Sequence, residues 1–279
     1  MNRLPMSRPP ISRRRFLTLP LALLLAPIAL PRGLALAEPD VRNATYAVDV
    51  GLLYGMLSFR LDGTLTEVVD RAAGRYEVKL AGEGEGIANR IESSGLLLDG
   101  RWTPRETHSW FKVKGRESRS DITYDWTRRT IEYHFRGETF FLRRLRVADD
   151  VVPVPEGTRV DDSLSATLNY ADGRWTLQED GTYRTHVVRR QKPDDEGPDD
   201  VRRAYRAELV PFSLKLAADP ASGKTTALFD LTRFSSWAKR DQPARITFGP
   251  DKRPEHMALD MILGTSVKIA LKSAKLRAS

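Results

Sequence analysis

The chain has 279 residues, with 45 Lys and Arg against 37 Asp and Glu, and no cysteine. The missing thiols exclude disulfides, thiolate metal sites, iron–sulfur clusters and thiol nucleophiles. The formal charge of +8 is unevenly placed: six arginines and no carboxylate lie in the first 37 residues, leaving 39 bases against 37 acids from Glu38 onward, so the basicity is no argument for nucleic acid.

The chain opens on a positive leader (Arg3, Arg8, Arg13, Arg14, Arg15). An apolar run from Phe16 to Leu30 follows, then small residues at Ala35 and Ala37. That order is the pattern of a secretory signal with its cleavage site. The run is shorter than the roughly 20 residues a membrane-crossing helix needs, and Pro20 and Pro27 interrupt it. Ser12, Arg13, Arg14, Phe16 and Leu17 resemble the twin-arginine export signal, which is a receptor-read address. The expectation is a signal peptide over residues 1–37, carried by the twin-arginine translocase and cleaved after Ala37. It leaves one β-rich domain over residues 38–279 in the periplasm. Without a cysteine after the cleavage site there is no lipid anchor, and the domain is expected to be soluble unless it docks on a membrane face.

From Tyr46 onward the dominant signal is alternation. Tyr46, Val48 and Val50 are apolar at every second position; so are Leu57, Phe59 and Leu61, then Tyr76, Val78 and Leu80. Such stretches predict antiparallel strands with one apolar and one wet face. Gly82, Gly84 and Gly86 alternate with Glu83 and Glu85, whose charges would repel a phosphate, so they read as a strand end or bend. Ile122, Tyr124 and Trp126, then Ile131, Tyr133 and Phe135, predict a hairpin pairing Tyr124 with Ile131 and Ile122 with Tyr133, through a two- or four-residue turn near Thr127 and Arg128. This register sets Asp121 opposite His134 on the other face. Asp161, Asp162 and Ser163 before Leu164 offer an N-cap for a short helix. Gln191 to Asp200, acidic and proline-bearing, reads as a solvated or mobile loop. Later alternations at Phe212, Leu214 and Leu216 and at Val267, Ile269 and Leu271 return to strand. The fold class expected is all-β: a curved antiparallel sheet, a half-barrel or partly closed barrel, with one or two short helices.

No catalytic motif stands out: there is no phosphate-binding loop, no His-Glu-x-x-His and no Gly-x-Ser-x-Gly. Catalytic, cofactor and metal residues are therefore assigned to none. Glu106 with His108, and Asp121 with His134, form a polar strand face that would have to converge with a hydroxyl or water site in one cleft for a hydrolase. Arg143, Arg144 and Arg146, Arg189, Arg190 and Lys192, and Arg202 and Arg203 are short basic clusters. They read as wet faces, or as contacts to anionic headgroups or envelope polysaccharide. Trp102, Trp110, Trp126, Trp175 and Trp237 read as core, with the alternative that some line a cavity of a curved sheet.

The order of features is similar to a known family. It runs from the Tyr-x-Val strand and Gly-bearing turn (Tyr46 to Gly55) through Ser94-Gly95, Leu96 to Arg101, Trp102 and Pro104 to Tyr124-Asp125-Trp126 and the Asp162 to Ala166 segment. This resembles the bacterial exported proteins grouped as the DUF 3108 type, which have no established biochemical role and no catalytic residues to carry over. By analogy, such long hairpins look like the half-barrels of periplasmic lipoprotein carriers, which cradle acyl chains. The expectation is non-enzymatic binding of an apolar or amphipathic envelope ligand, such as a lipid, or of an envelope protein partner, with no cofactor and no nucleic acid. The alternatives are an envelope hydrolase acting on glycan or lipid, and an interaction protein using a sheet edge.

Overall fold

Alternation of apolar and polar residues gives each strand one face that must leave water, and a sheet long enough to curl can bury all those faces on its own inside. The computed structural model describes residues 38–277 apart from Gly55, Asp194, Ala221, Ser236 and Arg240. The proposed export motif and cleavage residues Ala35 and Ala37 lie outside the described residues. The strands are β1 (Asp40–Leu52), β2 (Leu57–Asp70), β3 (Arg75–Gly84), β4 (Ile87–Leu98), β5 (Arg101–Val113), β6 (Arg116–Asp125), β7 (Thr130–Glu138) and β8 (Leu145–Pro153). Helix α1 (Ser163–Ala171) follows. Then come β9 (Thr182–Arg190), β10 (Ala207–Ala218), β11 (Thr225–Phe229), β12 (Ala244–Phe248), β13 (Pro254–Asp260) and β14 (Ser266–Arg277). One antiparallel sheet joins all of them in the order β8 to β1, then β14 to β9. The fold is a nearly closed barrel with one seam, between β8 and β9.

The expected hairpin forms in the expected register, with Tyr124 opposite Ile131 and Ile122 opposite Tyr133. Its turn is the four-residue form, Trp126 to Arg129, with Arg129 in the left-handed region at φ 52°. The glycine-rich stretch forms the end of β3 and its turn into β4.

The loop between β9 and β10 corrects an expectation. The described residues of Gln191 to Asp200 are irregular, but the stretch is not simply solvated: it is clamped along β8 at Glu196 and Gly197. Glu196 is buried and takes both Arg190 (2.7 and 2.9 Å) and Arg146 (3.2 Å). Arg146 also donates to the Gly197 carbonyl, and Ala207 N–H donates to Asp150. The acidic loop and two of the basic clusters are thus each other's partners. Tyr133 on β7 accepts from Arg190 N–H across the seam, and Val188 and Tyr205 pack with Ile131, Ala148 and Val152. The free edge of β8 is covered this way, which is how natural sheets avoid unwanted pairing.

Helix α1 lies inside the barrel. Leu164 and Leu168 pack on Val69, Tyr76, Val78 and Trp102 of one wall, and Ala166 and Tyr170 on Leu214, Ala227 and Phe248 of the opposite wall. Asp162 is its N-cap, accepting from Leu164 N–H (2.8 Å) and Ser165 N–H (2.7 Å) while Ser165 Oγ bonds back to Asp162 N–H, a reciprocal capping box. The other Asp162 oxygen accepts from Ser93 of β4 and Thr107 of β5. Asp161 accepts from Arg101, Asn169 and Thr185, reaching β5, α1 and β9. Burial pushes the Asp161 carboxyl up and the Arg101 guanidinium down, and their pairing opposes both shifts.

The C-terminal end is tied as well. Asn169 exchanges two hydrogen bonds with the backbone of Trp102, and Asp172 accepts from Trp102 Nε1 and Arg71. Burial raises the Asp172 carboxyl, but the bonds from Arg71 and Trp102 outweigh it and hold it below the usual carboxylate range. Gly95 makes room for this wall: a β-carbon there would lie 2.2 Å from the Thr103 carbonyl and 2.5 Å from the Tyr76 ring.

Asp162→Ala removes the cap, worth about 1 kcal/mol, and takes the carboxylate acceptor from two buried hydroxyls, of which Ser93 keeps a bond to Tyr76, at roughly 1–3 kcal/mol for a buried group left unpaired. Urea unfolding is expected to show a loss of about 3 kcal/mol or more; a loss below about 1 kcal/mol contradicts the pinning role.

Candidate apolar binding cavity

Helix α1 fills one end of the barrel and leaves the other hollow. The hollow is a cavity of about 640 Å³, within the 300–1,000 Å³ typical of small-molecule sites. Its walls are the inward residues of β1 to β5, β13 and β14: Val48, Leu61, Leu65, Leu80, Ile91 and Ile269 among others. The alternations at Tyr46 and Val48, Leu61, Leu80, and Val267 and Ile269 all face this space. Several of these large side chains are only half-buried although they point inward: each packs on its neighbours along one flank and faces the open space along the other.

Two glycines enlarge the space. Gly63 and Gly82 sit opposite each other on β2 and β3, on the inward face between Leu61 and Leu65 and beyond Leu80. A β-carbon would meet nothing closer than 3.4 Å at Gly63 or 3.8 Å at Gly82, so strand packing does not require glycine there. Large residues at both positions would fill the lumen instead. The helix contributes Ser163, Leu164 and Thr167 as a floor. Thr167 Oγ1 bonds the Ser163 carbonyl (2.9 Å), which hides one polar group from the cavity.

The charged lining lies at one end. Arg253, in the turn between β12 and β13, lines the cavity and is held by both carboxylate oxygens of buried Glu67. Tyr46 Oη donates to the Pro254 carbonyl (3.3 Å), and burial raises its hydroxyl pKa. Because Glu67 already binds Arg253, that end offers a neutral, hydrogen-bonding boundary rather than a bare cation. At the opposite end Phe140 and Trp237 meet edge to face, 5.4 Å between centroids. Of the five tryptophans, Trp237 is the one that lines the cavity; Trp102 and Trp175 are buried in the packing around α1.

The polar strand face lies elsewhere. Register places Lys79, Glu92, His108, Asp121, His134 and Asp149 in a single cross-strand row on the outer surface. Asp121 does sit opposite His134, but its carboxylate bonds His108 Nδ1 (2.8 Å), while His134 Nδ1 bonds Asp149 (2.9 Å). All four of these side chains are well exposed, and Glu106 is exposed on the same face. They do not converge in a cleft, and neither they nor Glu106 line the cavity. Among the described residues no group of three or more His, Asp or Glu is placed to hold a metal ion. No described helix is long and apolar enough to cross a membrane.

No protein-family model matches the sequence, and no curated protein is similar to it. Among solved structures, the chain is similar to a beta-barrel-like protein of the domain of unknown function DUF1849 from Brucella abortus. That likeness has 12% identity and a TM-score of 0.41, and covers 86% of this chain and 99% of that one. It is also similar to a domain from Vibrio parahaemolyticus described as an outer membrane lipoprotein-sorting protein domain, at 9% identity and a TM-score of 0.25, over 85% of each chain. Neither is close enough to assign a family or a function here, and the resemblance to the DUF 3108 type rests on sequence pattern alone.

Sequence reasoning missed Gly63, Arg253 and Glu67. Gly63 was the legible one, as a glycine at an inward position of an otherwise large alternating series. Thr167→Trp places an indole in the cavity from its floor. The variant is expected to melt close to the parent and to lose at least about tenfold in affinity for a fluorescent fatty acid; unchanged binding would show that the probe does not enter the lumen.

Proposed function

We propose that this protein is an exported, non-enzymatic carrier or sensor that takes one apolar chain of an amphipathic envelope ligand into its barrel. The observation that carries the reading is the hollow, apolar half of the lumen. Hydrophobic burial there is uncompensated by the protein itself, so a chain that fills it removes both its own surface and the walls' from water. The polar boundary at Arg253, Glu67 and Tyr46 supports a ligand whose buried tip is apolar or hydrogen-bonding and whose charge stays at the mouth, because an unpaired charge placed inside would lose its hydration. Export and a periplasmic address belong to the same proposal and are supported by the Arg13–Arg14 motif and the Ala35-Leu36-Ala37 cleavage pattern.

Each methylene buried contributes about 0.8 kcal/mol. Across a series of saturated fatty acids, affinity is expected to rise on the order of tenfold for every two carbons until the lumen is full, then to level off. Titration with a displaceable fluorescent probe measures this, and an affinity independent of chain length would refute burial of the chain. For the address, Lys at both Arg13 and Arg14 is expected to leave the protein unprocessed in the cytoplasmic fraction; normal export of that variant removes the twin-arginine route.

A further inference from the structure

The mouth of the barrel is ringed by turns, and their residues are not those turns usually carry. The connection between β1 and β2 runs through Leu53, Tyr54 and Met56. Leu53 and Tyr54 are held in the left-handed region at φ 52° and 58°, where Asn, Asp or Gly is the ordinary choice. Tyr54 is 81% exposed and Met56 77%. The turn between β7 and β8 carries Phe141 and Leu142, 44% and 58% exposed. Asp199 accepts from the N–H groups of both (2.7–3.3 Å), so the turn is fixed with those side chains outward.

These residues form one continuous surface. Tyr54 N–H donates to the Leu263 carbonyl (3.1 Å), and Ile262 N–H to the Trp237 carbonyl (2.7 Å). The Trp237 ring stacks on Phe141 at 6.0 Å and also lines the cavity. The apolar rim is therefore continuous with the lumen.

Charge sets its partner. The segments 112–117 and 138–144, which form the β5–β6 and β7–β8 turns, hold Lys112, Lys114, Arg116, Arg143 and Arg144 against Glu117 and Glu138, and Asp199, bonded to the second turn, is the third carboxylate beside these five cations. Arg143 bonds the Gly115 carbonyl and joins the two turns. The Lys114 ammonium lies over the Phe59 ring and the Arg116 guanidinium over the Phe140 ring, so both cations are held against the aromatic residues at this end of the barrel. The intervening β3–β4 turn carries Glu83 and Glu85, so the positive field belongs to the Phe141 side of the mouth.

Exposed aromatic and aliphatic tips flanked by cations match the interfacial layer of a bilayer with anionic headgroups. The geometry points to this rim as a membrane-docking surface that seats on anionic lipid, so that a chain passes between bilayer and lumen without crossing water. The inference rests on the reading of the cavity as a site for an apolar chain.

Flotation with vesicles tests it, using mixed phosphatidylglycerol–phosphatidylcholine and pure phosphatidylcholine at low and high salt. The protein is expected to float with the anionic vesicles and to be released by salt. Combined Tyr54→Ser, Met56→Ser and Leu142→Ser, and separately Lys114→Glu with Arg144→Glu, are each expected to reduce flotation by about fivefold or more. Both should retain the parent's melting temperature and binding of a soluble fluorescent fatty acid. Thr167→Trp should do the reverse, losing the fatty acid and still floating, so failure of the cavity reading and failure of docking give different patterns. Equal flotation on neutral vesicles, or rim variants that float like the parent, would overturn the proposal. So would a rim-dependent dimer in ultracentrifugation with no vesicle binding, which would assign the surface to a second copy of the chain.

Discussion

Buried carboxylates are costly unless every oxygen finds a donor, and this fold places two of them side by side. Asp161 and Asp162 collect donors from β4, β5, β9 and α1, with Arg101 supplying the charge. The donors come from both sides of the lumen, so the pair cannot be satisfied unless the helix lies inside the barrel with its first turn at a fixed depth. Moving the helix would take the carboxylate acceptors from Ser93, Thr107, Thr185 and Arg101. The polar cluster therefore does what apolar contacts alone do not: it specifies one position among the many a greasy helix could take in a greasy tube.

That position divides the lumen. At one end of the lumen the space around the helix is packed, by Tyr76 and Trp102 on one wall and by Phe248 against Tyr170 on the other. At the other end Ser163 and Thr167 are the floor of a hollow widened by Gly63 and Gly82. The seam is dealt with separately, by arginine–carboxylate pairing between Arg146, Arg190 and Glu196 and by a small apolar cluster, so closure of the barrel does not draw on the cavity walls. A nearly closed wall around a hollow apolar space is the arrangement expected of a binding site that is formed before its ligand arrives.

Much of the wall was legible in the sequence because period-two alternation is a local property. Tyr46 to Val50, Leu57 to Leu61 and Ile122 to Phe135 announced their strands, and register followed from keeping the large groups together. The helix start was legible through Asp162. What local pattern could not supply was depth and distance. Nothing in Asp161-Asp162 says that its partners are Ser93, Thr107 and Thr185, and Glu67 lies 186 positions from Arg253. The loop Gln191 to Asp200 looked solvated because its composition is polar, yet Glu196 is buried by two arginines that the sequence showed only as basic clusters. The His108 and His134 face was correctly placed on strands. Its outward orientation on the barrel, not its chemistry, separates it from the cavity.

An apolar chain bound in this barrel would lie between α1 and β14. Crystals grown with a terminally brominated fatty acid would locate the bromine by anomalous scattering. One strong peak is expected inside the barrel, near Thr167, Leu80 and Ile269, with the walls unchanged. Bromine found only on the outer surface, or a lumen closed by inward movement of its own side chains, would contradict binding there.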